Sequence, residues 1–360
     1  MPISDIDGEI SDYGHILSSL PRSHPLTFSP LVALACCYNN RYMQSDRKED
    51  LDRAILHFTQ AIFVSRLSGD IYDQNTVQTF FLLAFRLLRR ADDFDQPSDA
   101  QYCAEYFRYL LLLSQPLEEF DVPCSQVRAS LVEALASQVK LGIGDAVRHV
   151  DEMTDHCREL LASDVPQPHL LMAARALASA DFTNREQFSA LEVSDKVIKC
   201  LREANRRLNS REVAYNFAVN LCARFWLTNA IDDYEEAMAL FAKIISSESD
   251  GNDSGPYLEE AAYSSALLAW NRTRIYSNPE YDEEAIHHSR SFLRISSADD
   301  IRRRTITEAL AWIMRARSVS FGVTEDSQEA QSSDTEVTDV PSFSGLVASL
   351  LARSTDGKTH

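Results

Sequence analysis

Glycine is scarce in this chain, with 10 among 360 residues, where average usage would give about 25. Tight turns call on residues that accept a positive φ, so this shortage disfavours an all-β fold built on hairpins. Basic residues are also in short supply: 35 Lys and Arg face 54 Asp and Glu, a net charge of −19. Such a surface repels phosphate backbones and anionic headgroups, so neither nucleic acid nor a membrane is expected as a partner. The longest apolar runs, near Leu31–Tyr38 and Tyr109–Leu113, fall far short of the roughly 20 residues that span a bilayer. The opening MPISDIDGEISD is acidic and has no apolar core, which argues against a secretory signal. Seven cysteines (Cys36, Cys37, Cys103, Cys124, Cys157, Cys200, Cys222) show no C-x-x-C spacing. They read as small buried hydrophobes in a reducing compartment, so a soluble, cytoplasmic protein is expected.

What is present is a folded-protein composition, 45% hydrophobic and 25% charged, carrying an internal repeat. RYMQSDRKEDLDRAILHFTQAI, from Arg41 to Ile62, aligns without a gap on RFWLTNAIDDYEEAMALFAKII, from Arg224 to Ile245. Arg41, Asp50, Ala54, Phe58 and Ile62 meet Arg224, Asp233, Ala237, Phe241 and Ile245. The small residue at Ala54 has weaker counterparts at Cys103, Ala146, Ala190 and Ala285, a period of about 46 residues.

Each unit reads as two antiparallel helices. Leu51, Ala54, Ile55, Phe58 and Ile62 recur at helical spacing, and Glu49 and Asp50 suit the positive end of that helix. A first helix is expected over Leu31–Tyr42. Later pairs are expected near 71–90 with 97–113, 123–140 with 143–163, 166–182 with 185–207, 209–228 with 231–247, and 256–274 with 280–294, before a last helix over 298–319. Pro97, Pro123, Pro166, Pro256 and Pro279 stand at the proposed starts and connections. The expected fold is therefore all-α, an α-solenoid of antiparallel helix pairs. The array is placed at 3–320, beginning inside a unit with the stripe Ile6, Ile10, Tyr13, Leu17 and Leu20. An acidic linker follows at 321–340, disordered by composition, and then a short amphipathic helix at 341–353 carrying Phe343, Leu346, Val347, Leu350 and Leu351.

EDLDRAILHFTQAI, from Glu49, and ARFWLTNAIDDYEEAMALF, from Ala223, resemble the tetratricopeptide-like arrays of fungal proteins, whose units are longer than the standard repeat. Those units pair Arg-Phe at the end of one helix with Asp-Leu and Ala-Ile at the start of the next. Arg41-Tyr42 with Asp50-Leu51 and Ala54-Ile55 fits this, as does Arg224-Phe225 with Asp233-Tyr234 and Ala237-Met238. His24-Pro25 resembles the short connection between such units. The resemblance covers roughly residues 3–295 and implies a superhelical fold with a binding role. In that family the array often precedes a CHAT domain, a caspase-like peptidase module. The 65 residues after position 295 are too few for that domain, so peptidase activity is not expected.

Chemical motifs are weak. Asp232-Asp233-Tyr234-Glu235-Glu236 looks like the magnesium-gathering D-D-x-x-E of helical terpene cyclases, yet it shares the register of Glu49-Asp50 and has no partner motif. The acidic run Asp92-Asp93-Phe94-Asp95 is placed in a connection. Asp145, His149, Glu152 and His156 share one stripe of a helix and are expected to be a solvated face rather than a metal site. No cofactor is expected. The run Arg302-Arg303-Arg304 is expected to be a solvated helix face more than a nuclear signal. Arginines recur in the first helices: Arg41, Arg86, Arg89, Arg90, Arg175, Arg224, Arg272 and Arg274. In tetratricopeptide-like solenoids first helices line the concave face. Arg41, Arg86, Arg90, Arg175, Arg224 and Arg272 are therefore the candidate grips on acidic groups of a protein or peptide, with pairing inside the chain as the competing reading.

The leading function is a non-catalytic scaffold that binds a protein or peptide. The alternative is the regulatory or sensor arm of a CHAT-peptidase or NTPase-type effector. A cyclase-like helical enzyme is the remote third.

Overall fold

This computed structural model describes residues 2–21, 24–68, 73–113, 117–183, 191–246, 257–276, 278–297 and 300–321. Among them are fourteen α-helices and no strand. They are α1 (Ile3–Ser18), α2 (Phe28–Ser45), α3 (Lys48–Ser68), α4 (Gln74–Phe94), α5 (Pro97–Leu111), α6 (Cys124–Lys140), α7 (Ala146–Ala162), α8 (Gln167–Thr183), α9 (Leu191–Leu208), α10 (Arg211–Thr228), α11 (Ile231–Ser246), α12 (Tyr257–Ile275), α13 (Pro279–Ile295) and α14 (Arg302–Phe321). The helices fall where the apolar spacing puts them. Apart from Phe321, the expected linker 321–340 lies outside the described residues, as does the expected helix 341–353.

The chain divides into two compact units, one of Met1–Ala180 with Asn184–Lys196 and one of Asp181–Thr183 with Val197–His360. Within the first, each helix from α1 to α7 packs on the next in sequence; within the second the same holds from α10 to α14. This is the consecutive packing of an α-solenoid.

First helices also touch one another: α4 meets α6 in the first unit, and α12 meets both α10 and α14 in the second. This extra contact explains their composition. Every residue from Ala261 to Asn271 of α12 is buried, as is every residue from Val213 to Leu221 of α10. A helix that is apolar or small all round belongs inside. Ala261, Ala262, Ser265, Ala266 and Ala269 let the neighbouring backbones approach. Second helices such as α7 and α13 are instead amphipathic, with one buried stripe and one wet face.

Local signals set the ends. Pro97 and Pro279 open their helices, and Pro123 precedes α6. His24 starts a short 3-10 turn by accepting a hydrogen bond from the Leu26 amide on its Nδ1. The turns from first to second helix use Asp46 (φ 50°), Asp95 (φ 47°) and Asn229 (φ 54°) in the left-handed region. Asp and Asn accept that conformation better than other side-chain-bearing residues, so these three turns are made without glycine.

Ala54, Cys103, Ala237 and Ala285 are each the seventh residue of their helix and all fully buried. Ala146 instead opens α7, and Ala190 lies outside the described residues. In α9 the seventh place belongs to the buried Val197.

Candidate binding surface

Three of the candidate arginines share one geometry. Each sits five residues before a left-handed Asp or Asn, and nine before an aspartate in the first turn of the next helix. Arg41 donates to Asp50 from Nε at 3.0 Å and from Nη2 at 2.6 Å. Arg90 holds Asp99 in the same fork, at 2.5 and 3.0 Å. Arg224 holds Asp233 at 2.8 and 2.5 Å. Forked pairing is the strongest arrangement these groups have. All three aspartates are buried, and each also occupies the helix end that favours negative charge.

Two of these guanidiniums reach backwards along the array. Arg41 also binds Asp7 of α1 at 2.5 Å, and Arg90 binds Asp52 of α3 at 2.6 Å. Each therefore joins its own helix pair to the preceding helix. The pairing with Asp50, then that with Asp7, pushes the Arg41 guanidinium above its ordinary pKa; Asp99 and Asp52 do the same for Arg90.

Arg272 is a variant. Nine residues on stands Tyr281 instead of an aspartate, and the guanidinium lies 3.8 Å from the Tyr281 ring centre and 4.2 Å from that of Tyr234. Glu284 completes the site at 3.1 Å.

Arg86 and Arg175 have different surroundings. Arg86 is half-buried with no acceptor at Nε, and burial pushes its pKa down. Arg175 is exposed and reaches Glu133 at 3.5 Å. Arg89 pairs with Asp93 at 2.7 Å, and Arg274 lies over the Trp270 ring at 5.1 Å.

Second helices are bridged too. Arg108 of α5 forks onto Glu152 of α7 at 2.7 and 2.8 Å, and Arg202 of α9 onto Glu236 of α11 at 2.9 and 2.6 Å. The Asp145–His156 stripe is thus more engaged than a solvated face would be. Asp145 caps α7, His149 bonds the Ile143 carbonyl at 3.1 Å and His156 is half-buried. Among the described residues no group of three His, Cys, Asp or Glu is placed to hold a metal ion.

The D-D-x-x-E acids divide in the same way, with Asp233 and Glu236 held by Arg224 and Arg202. Asp92 and Asp93 lie in the last turn of α4 rather than in a connection, where Ser137 and Tyr42 donate to them. The basic run is largely structural. Arg302 is half-buried against Asp300, Glu259 and Glu260, and Arg303 donates to the Leu293 and Ser296 carbonyls ending α13. Arg304 alone of the three is well exposed.

Exposed apolar side chains are unevenly spread. Among the second helices α7 and α13 expose no large hydrophobic residue, whereas α3 exposes Leu56, Phe63 and Leu67. Nothing in the repeat alignment marks these residues, because that alignment follows the buried stripe. The signal was the low contrast between the two faces of α3.

No protein-family model matches the chain, and no curated protein sequence matches it. Two solved structures of the nuclear import adaptor Nro1 are distantly similar. The S. pombe structure has a TM-score of 0.33 and 13% identity, covering 91% of this chain and 99% of that one. The second, described as a hypoxic regulator of sterol synthesis, has a TM-score of 0.32 and 13% identity over 96% of this chain and 99% of that one. No helix among the described residues is long and apolar enough to cross a membrane.

Proposed function

We propose that this all-helical array is a non-catalytic scaffold, of the tetratricopeptide-like type, that binds a protein or peptide partner in the cytoplasm without a cofactor. The carrying observation is where its polar chemistry goes. Arg41, Arg90 and Arg224 with Asp50, Asp99 and Asp233 hold consecutive helices in register. Two of the three acids of the cyclase-like motif, Asp233 and Glu236, are held in the same way. Burial pushes the Cys37 thiol up to about 12 and raises that of Cys103 as well, which makes both poor nucleophiles. A rigid frame of this kind suits presentation of a surface. Arg86, which has no acceptor at Nε among the described residues, and the exposed Arg175 are the first-helix arginines retained as partner contacts.

The test is affinity capture of the full chain from native lysate, followed by gel filtration and mass spectrometry. A partner retained at fixed stoichiometry in the presence of EDTA is the expected result. Magnesium-dependent stabilisation of several degrees, with turnover of a prenyl pyrophosphate, would overturn the scaffold reading in favour of an enzyme.

A further inference from the structure

The outward side of α3 departs from that of α7 and α13, which expose no large hydrophobic residue. Phe63 is 61% exposed, Leu67 58% and Leu56 52%. They stand at i, i+7 and i+11, on one face of the helix. That face extends about 16 Å at the helical rise, roughly three turns. Tyr102 of α5, 53% exposed, adds a fourth large side chain on the neighbouring second helix.

Between α3 and α5 lies a cleft of about 150 Å³, floored by α4. Ile62, Phe63 and Arg66 of α3, Phe80 and Leu83 of α4 and Tyr106 of α5 line it. A space of about this size accepts a benzene ring in an apolar protein interior, so it suits one bulky apolar side chain.

Charge selects the occupant. From Arg53 to Ser68, α3 carries two arginines and no acid, in a chain with 54 acidic residues. Arg53 donates to the Tyr38 hydroxyl at 3.3 Å and lies over that ring. Arg66 is the sole charged residue lining the cleft, is exposed, and rests on the Phe80 ring at 6.0 Å. It forms no ion pair among the described residues, unlike the forked arginines of this unit.

We propose that the cleft between α3 and α5 is a docking site for an amphipathic, acidic helix of a partner protein. The helix seats one bulky apolar side chain beside Phe63 and Tyr106 and sets a carboxylate on Arg66. Its remaining apolar face lies along Leu56, Phe63 and Leu67, the helix-in-groove mode of recognition. The proposal rests on the scaffold reading and assigns it a surface and a partner chemistry.

The test uses the full chain and two labelled 16-residue helical peptides, alike except that one carries Glu and the other Lys beside a Leu/Phe stripe. Fluorescence anisotropy should show binding of the Glu peptide and little of the Lys peptide. Arg66→Glu should weaken the Glu peptide at least tenfold and bring in the Lys peptide. Phe63→Ser should abolish binding of the Glu peptide without lowering the melting temperature, because Phe63 is mostly exposed. Equal binding of both peptides, indifference to the two substitutions, or no binding up to about 100 µM, where a weak groove contact still registers, would overturn the proposal. So would a dimer by light scattering that Phe63→Ser dissolves, or Phe63-dependent binding to phosphatidylserine vesicles. A stoichiometric partner captured equally by the wild type and the Phe63→Ser/Arg66→Glu double variant would refute this docking site while leaving the scaffold reading standing.

Discussion

Arg90 offers two carboxylates bound to one guanidinium in different surroundings. The Arg90 side chain is 22% exposed, that of Asp99 5% and that of Asp52 43%. Removing one member of a buried pair strands the other and costs about 3 kcal/mol or more. An exposed pair is screened by water and is worth less than about 1 kcal/mol. Asp99→Ala should therefore cost about 2 kcal/mol more than Asp52→Ala, which is about a 30-fold difference in the local opening constant. Asp99→Ala leaves Arg90 only the more exposed Asp52 and also takes a negative charge from the first turn of α5, so the difference reports burial, the fork and the helix end together. Long arrays lose all-or-none unfolding, so the proper assay is hydrogen exchange with mass spectrometry on peptides of α4 and α5. Asp99→Ala should speed exchange in the last turns of α4 and the first turns of α5. The double variant Arg90→Met/Asp99→Leu should recover most of the loss, since apolar side chains of similar size can replace a buried pair at little cost. Equal effects of Asp99→Ala and Asp52→Ala, or a change spread evenly over the chain, would refute the assignment of these pairs as register clamps.

The fold was legible because its signal is periodic. The apolar stripe of each helix marks a buried face wherever the helix packs, so helix positions followed from spacing alone. The alignment of Arg41 with Arg224 and Asp50 with Asp233 contained the clamp without revealing it, because a sequence does not say that two aligned residues touch. The Arg90–Asp99 copy was hidden by the neighbouring acids Asp92, Asp93 and Asp95, which read as a loop. The Arg272 copy was hidden because Tyr281 holds the guanidinium by stacking instead of charge. The register failed at Ala146 because α7 packs through Val150, Met153 and Cys157, with Met153 near the place that Ala54 takes in α3. The closure of α12 by α10 and α14 was also out of reach. An all-apolar helix announces that it is covered, but not by which neighbours. The exposed face of α3 escaped notice for a related reason, since residues between the buried positions look like ordinary spacing until their exposure is known.

Two further outcomes test the turns and the stacked arginine. Asn229→Gly should leave hydrogen exchange in α10 and α11 unchanged or slightly slowed, while Asn229→Val should speed it by the equivalent of about 1–2 kcal/mol, because a β-branched residue resists the left-handed region that Asn229 occupies at φ 54°. Arg272→Lys should lose about 1–2 kcal/mol of local protection in α12 and α13, since a lysine cannot lie flat between Tyr234 and Tyr281 while keeping Glu284; if exchange there is unchanged, the stacking contributes nothing. The last outcome concerns pH, to which Glu133 and His288 should contribute with opposite sign. In the second unit, burial and then His287 push His288 from its ordinary 6.5 down to about 4, so the unfolded chain binds the proton more readily and stability there falls as pH drops from about 6.5 towards 4. In the first unit, burial raises Glu133 from its ordinary 4.5 to about 7 against the opposing pull of Arg175, so the folded chain holds the proton more tightly and stability there falls as pH rises from about 4.5 to 7. Moving from pH 7.5 to pH 5 should slow intrinsic-rate-corrected exchange around α6 and speed it around α13, with Glu133→Gln flattening the first response and His288→Asn the second. Exchange in both regions moving the same way, or responses untouched by these substitutions, would show that other groups govern the pH dependence.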